Sequence, residues 1–105
     1  MSKLNIFELI PATLQDELFE ELASKGGVKI ERIVSFGHTT PESQWYDQNS
    51  DEWVILLKGE AVISFQDESD IRLMAGDYLN ILAHKKHRVS WTKPDTQTIW
   101  LAVHY

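Results

Sequence analysis

The chain has 105 residues, is 43% apolar and 25% charged, and carries a formal charge of -6, which predicts one folded domain around a single core and excludes a disordered chain. Its acidity and its lack of a Lys/Arg stripe exclude nucleic acid as a partner, and the absence of cysteine excludes disulfides, thiolate ligands and a cysteine nucleophile. No basic-then-apolar leader opens the sequence, and the longest apolar run, Trp53 to Leu57, is too short to span a bilayer, so a cytoplasmic protein without membrane contact is expected.

The first predicted element is a helix over residues 12–25. Thr13-Leu14-Gln15-Asp16 has the shape of a capping box, and Glu17 adds a second acid to the first turn. Leu14, Leu18, Phe19 and Leu22 repeat at helical spacing, Pro11 bounds the segment upstream and Gly26-Gly27 ends it. Such a helix would cover a barrel or a neighbouring subunit. Its polar face is acidic, which argues against a membrane surface.

From Val28 the period changes to two. Val28, Ile30, Arg32, Val34 and Phe36 share one face, and Lys29, Glu31, Ile33 and Ser35 the other. Gly37 and Thr39 to Glu42 read as a loop, and Gln44 to Gln48 as a further strand. Trp53 to Lys58 is apolar on both faces, as for a strand buried between two sheets. Lys58-Gly59-Glu60 is a tight turn, with Ala61 to Phe65 returning as the hairpin partner. Ile71–Met74, Tyr78–Leu82, Arg88–Thr92 and Thr98–Val103 supply more short strands, punctuated by Ala75-Gly76-Asp77 and Lys93-Pro94-Asp95. Short strands at nearly regular spacing over residues 28–103 mean a sandwich or barrel.

Two segments carry a family resemblance. Glu52 is followed after six residues by Gly59, and Gly76-Asp77 opens a segment whose His87 lies eleven residues after the glycine. The pair resembles the two motifs of the cupin superfamily, small β-barrels that often hold one metal ion. Asp51-Glu52-Trp53-Val54 and the ending Trp100 to Tyr105 look like a subgroup of small single-domain cupins of unassigned function. The resemblance covers residues 30–103 and implies an all-β, antiparallel β-sandwich of jelly-roll type, with the predicted helix packed outside. It also implies a homodimer, and Glu52 and His87 as two facing metal ligands. The chain departs from the family pattern at several positions. Tyr46-Asp47-Gln48 stands where the first motif normally supplies a His-x-His pair. Leu82 replaces a proline, His84 replaces a frequent glycine, and Trp91 replaces a frequent asparagine.

The residues allow the same site on physical grounds. A carboxylate at the end of an apolar strand needs a cation or several donors. A metal ion, Arg32 or a protonated histidine would each serve Glu52. A neutral imidazole facing a carboxylate is the usual start of a zinc, iron, nickel or manganese site. The third ligand depends on register. A three-residue gap before Glu52 selects Gln48, with Tyr46 as its inward partner; a four-residue gap selects Asp47, with Trp45. Asp47 is the better ligand chemically, and Gln48 the better one by register, giving a metal set of Gln48, Glu52 and His87. Tyr46 could ligate, donate a proton or pack, and His84 could donate a proton at the barrel mouth.

The remaining candidates have plainer expectations. His38, in a loop beside Gly37, either completes a site from a neighbouring strand or is simply solvated, the commoner case, and His104 is expected in a structural role. Arg32 either binds a substrate carboxylate or merely snorkels, and the four tryptophans fill core and interface. No glycine-rich phosphate loop, Ser-His-Asp order or Rossmann fingerprint occurs. Three functions stay open. One is a metal-dependent enzyme acting on a small molecule as a dioxygenase, isomerase or decarboxylase, with Tyr46 or His84 as proton donor. Another is a metal-free module that binds or senses a small ligand. The third is an interaction protein whose cavity has closed.

Overall fold

The computed structural model describes residues 1–105 and contains strands only. They are β1 (Leu18–Lys25), β2 (Val28–Ser35), β3 (Glu52–Lys58), β4 (Glu60–Phe65), β5 (Ile71–Met74), β6 (Tyr78–Ile81), β7 (His87–Thr92) and β8 (Thr98–His104). All pairings are antiparallel. One sheet runs β1-β2-β8-β3-β6 and the other β5-β4-β7. Val54, Leu56, Ala61, Ile63, Phe65, Leu73, Ile81, Trp100 and Ala102 form the core between them. This is the sandwich that the strand spacing predicts, of the jelly-roll type that the family resemblance implies.

The expected helix over residues 12–25 is absent; Leu18–Lys25 is strand β1, paired with β2 from Leu18↔Val34 to Lys25↔Val28. Gly26-Gly27 decides the matter. Both residues have positive φ, 56° and 84°, the requirement of a two-residue hairpin turn whose twist suits the strands on either side. The spacing of Leu18 and Leu22 is helical by coincidence, because a bulge between Glu21 and Ala23 breaks strand alternation there. The helix expectation missed the turn because a paired glycine is also a helix stop.

Gln44 to Gln48 also falls short of a strand. It makes one bridge, Tyr46 to His87, with Tyr46 N–H donating to the His87 carbonyl at 2.8 Å and His87 N–H returning at 3.2 Å. Further along the same edge, the Thr40 N–H donates to the Val89 carbonyl, and the His84 N–H to the Gln48 carbonyl, both at 2.8 Å. The segment is a cover laid along β7 rather than a ladder. Strand β3 is buried on one face only. Val54 and Leu56 enter the core, whereas Trp53, Ile55 and Leu57 stay half-buried on the other face.

Gly59 shows why the first motif ends in glycine. Its φ is 93°, and a Cβ there would lie 2.6 Å from Thr98 Oγ1 and 2.8 Å from the Gln97 carbonyl oxygen. The β3–β4 turn is thus pressed against the start of β8, and only a residue without a side chain fits.

Candidate functional site

One end of the sandwich closes on a cavity of about 70 Å³, lined by residues from both sheets and from the 46–48 cover. Strand alternation supplies its floor: Glu31 from β2, His104 and Trp100 from β8, Glu52 and Val54 from β3. His87 comes from β7 in the opposite sheet. The cavity opens into a wider vestibule of about 620 Å³ that shares Phe19, Glu31, Tyr46, Gln48 and His104 and adds Lys29 and Ser50.

Glu52 is fixed by its neighbour. Asp51 exchanges backbone hydrogen bonds with Tyr105 at 2.9 and 3.0 Å, and its carboxylate accepts from the Ala83 N–H at 2.8 Å. The next residue therefore enters the sheet between Ile81 and His104 with its side chain inward. Glu52 and His87 are 8% and 5% exposed, and His87 Nε2 stands 3.4 Å from a Glu52 carboxylate oxygen. The other ring nitrogen, Nδ1, lies 2.7 Å from the Lys85 carbonyl oxygen. A carbonyl can only accept, so Nδ1 carries a hydrogen and donates. In the neutral ring Nε2 then bears a lone pair directed at the carboxylate. Two acceptors facing each other need a proton or a cation between them. Burial alone opposes the charged imidazole, but the hydrogen bonds to Glu52 and to the Lys85 carbonyl, with the carboxylate's charge, outweigh it and raise the His87 pKa.

Of Asp47 and Gln48, Gln48 lines the cavity. Its amide oxygen is buried and has no hydrogen-bond partner. Asp47 points outward and accepts from His84 Nδ1 at 2.8 Å. Tyr46 also lines the cavity, its ring 5.6 Å from that of His87. Burial raises its pKa, a hydrogen bond with Thr40 opposes the shift, and the charges of Glu17, Glu52 and Glu31 add to it. The phenol therefore keeps its proton at neutral pH.

His84, the other proton-donor candidate, has an exposed ring tied to Asp47 and lies outside the cavity lining. Its φ is 64°, the left-handed conformation in which a frequent family glycine would sit without strain. The side chain grips Asp47 while the backbone N–H holds the Gln48 carbonyl. His84 thus secures the turn that aims Gln48 inward.

Arg32 neither faces the cavity nor trails along the surface. Its guanidinium lies on the outer face, bonded to Glu20 at 2.7 Å and to the carbonyls of Ile6 at 2.9 Å and Glu8 at 2.7 Å. His38 is likewise engaged, accepting from the Phe36 N–H at 2.9 Å and reaching the Gln15 carbonyl at 3.1 Å.

Three titratable cavity residues are not apparent as such from the sequence. His104, expected as merely structural, lines the cavity with Nε2 2.9 Å from Glu31. Glu31 was noted only as a member of the second face of β2. Glu17 also lines the cavity, accepting from the Ser35 hydroxyl at 2.7 Å, and burial raises its pKa against the opposing influence of Ser35 and His38. The sequence carried no signal for Glu31, because Ile33 is the one apolar residue on its face of β2, whereas Val28, Ile30, Val34 and Phe36 share the other. No three His, Asp or Glu side chains converge closely enough to hold an ion by themselves.

No protein-family model and no curated protein matches the chain. Solved structures do. A protein of Ralstonia eutropha JMP134 that carries the provisional name mannose-6-phosphate isomerase superposes with a TM-score of 0.94 at 40% identity, covering 99% of this chain and 97% of that one. A cupin superfamily protein of Desulfitobacterium hafniense DCB-2 matches at TM-score 0.75 and 29% identity, over 91% and 83% of the two chains. An RmlC-like cupin from Methanocaldococcus jannaschii, with a double-stranded β-helix fold, shares the fold at TM-score 0.72 and 20% identity, over 90% and 84%. The chain belongs to the cupin superfamily, as a small cupin domain of unassigned function.

Proposed function

We propose that the cavity holds one divalent first-row transition ion through His87 Nε2, the Glu52 carboxylate and the Gln48 amide oxygen, and serves an enzyme of isomerase type acting on a small polyhydroxy molecule. The supporting observation is the mutual orientation of acceptors. His87 Nε2 and Glu52 face each other at 3.4 Å while Nδ1 is committed to Lys85, and the buried Gln48 oxygen lacks any donor. That Nδ1–carbonyl bond is the contact that usually orients a metal-binding imidazole. A nitrogen donor favours zinc, iron, nickel or manganese over the hard cations that prefer oxygen cages. Such an ion, when bound, supplies a Lewis acid for a carbonyl or hydroxyl oxygen.

Among the expected chemistries, isomerisation gains support from the name carried by the Ralstonia protein. Dioxygenase and decarboxylase chemistry gain none. Tyr46 is the proton donor in this reading, because it faces the cavity and keeps its phenol protonated. The cavity of about 70 Å³ is well below the several hundred Å³ of a small-molecule pocket. It has room for an ion and a water-sized group, so the body of the ligand would lie in the vestibule.

The second reading is a metal-free binding module. It draws on the absence of a three-residue His/Asp/Glu cluster and on a His87 that can hold its proton against Glu52. Elemental analysis of protein purified without a histidine tag or added metal separates the two. Copurifying zinc, iron, nickel or manganese supports the first; protein that stays metal-free even after incubation with each ion supports the second.

A further inference from the structure

The charged side chains of the cavity are acidic apart from its two histidines, His87 and His104. Glu17, Glu31 and Glu52 contribute three carboxylates to a lining of 14 residues, and none of those residues is Lys or Arg. The Gln48 amide oxygen is a fourth acceptor without a partner. Independently of these, Trp100 lines the cavity at 2% exposure, and its indole N–H has no partner either. The one cation of the vestibule is Lys29, and its ammonium lies 3.7 Å from Glu31. Arg32 could have served an anion, but it is turned to the outer face and bonded there.

We infer that the ligand of this site is rich in hydroxyl or ammonium donors and carries no anionic group: an uncharged sugar or polyol, or its amino derivative, with Glu31 and Glu17 as the charge-selecting residues. A phosphate or carboxylate reaching through the vestibule into the cavity would meet the Glu31, Glu17 and Glu52 carboxylates, without a guanidinium fork to receive it. A hydroxyl or ammonium would give the Gln48 oxygen the donor it lacks and add a partner to carboxylates that already face Ser35, His104 and His87. The selectivity therefore runs opposite to the phosphorylated substrate in the name of the Ralstonia protein. It builds on the cavity being the ligand site, as proposed above, and does not require the metal.

The test compares three probes that differ in charge: mannose, mannosamine and mannose-6-phosphate. Their affinities for the protein as purified are measured by ligand-observed NMR or calorimetry at neutral pH. Mannosamine and mannose should both bind, and the phosphate ester should bind at least about tenfold more weakly than mannose. Glu31→Gln should narrow that gap, and Glu17→Gln provides the same comparison should the first variant fail to fold. Mannose-6-phosphate binding as tightly as mannose, or failure of all three to bind, would overturn the inference. Manganese binding, followed by electron paramagnetic resonance on the same samples, keeps the two proposals apart. Retained manganese with a reversed probe order sinks the charge selection alone. Absent manganese with the predicted order sinks the metal alone.

Discussion

The two nitrogens of His87 have separate tasks, and the difference has measurable consequences. Nδ1 is fixed by the Lys85 carbonyl, so Nε2 must share a proton or a cation with Glu52. Without a metal, His87 holds its proton more firmly in the folded chain than in the unfolded one, and so does Glu17. The folded state then binds more protons, and stability falls as pH rises. The His87 contribution is fully present below its unfolded value of about 6.5 and is lost as pH climbs through the higher folded value. A bound metal competes with that same proton, so metal-induced stabilisation should grow over the same window. Thermal melts from about pH 6 upward, with and without zinc, should show the metal-free Tm falling while the zinc-induced shift rises. Parallel curves would contradict this account. The Gln48 contribution is smaller and specific. Gln48→Leu removes an acceptor that now lacks a donor, so it should leave the metal-free Tm nearly unchanged or raise it, while weakening zinc binding.

At the level of elements, turn chemistry decides more than the periodicity of side chains. Most strands were legible because alternation and Gly/Asp-rich turns agree, as in Lys58-Gly59-Glu60 between β3 and β4. Strand β1 was not, because Leu14, Leu18 and Leu22 mimic a helix and its exposed far half carries little apolar alternation. That misreading hid Glu17 and Phe19 from the site. Glu52, His87 and the inward Gln48 were legible through motif spacing and register. His104 and Glu31 were not, because their pairing joins residues 73 positions apart in sequence. The hairpin assignment is testable. Replacing Gly26 and Gly27 together by alanine would lengthen a helix, but here it should destabilise the protein, since both positions need positive φ. Gly59→Ala should cost about 1–3 kcal/mol from backbone strain, plus the clash with the Gln97–Thr98 backbone. Gly76→Ala, at φ 96° in open space, should cost less. Urea denaturation of the two variants gives the comparison directly.

On the scale of the whole molecule, the five-stranded sheet has two unlike faces. Its inner face closes the core and the acidic cavity, and Arg32 ties residues 6–8 across part of its outer face. Trp53, Ile55, Leu101 and Val103 remain half-buried there, with Tyr78 62% exposed and its ring 5.4 Å from that of Trp53. If the expected homodimer forms across this face, Trp53→Glu should convert it to a monomer, as read by light scattering, while leaving cavity residues untouched.

The cavity itself is where the account is most exposed to refutation. Zinc, nickel and manganese should be titrated calorimetrically into chelator-stripped wild-type protein and into His87→Ala and His104→Ala. One ion per chain should bind the wild type with modest affinity, because a single imidazole, one carboxylate and one amide leave the other positions to water. Binding should vanish in His87→Ala and persist, weakened, in His104→Ala. Tight binding retained in His87→Ala, or no binding by the wild type, would contradict it.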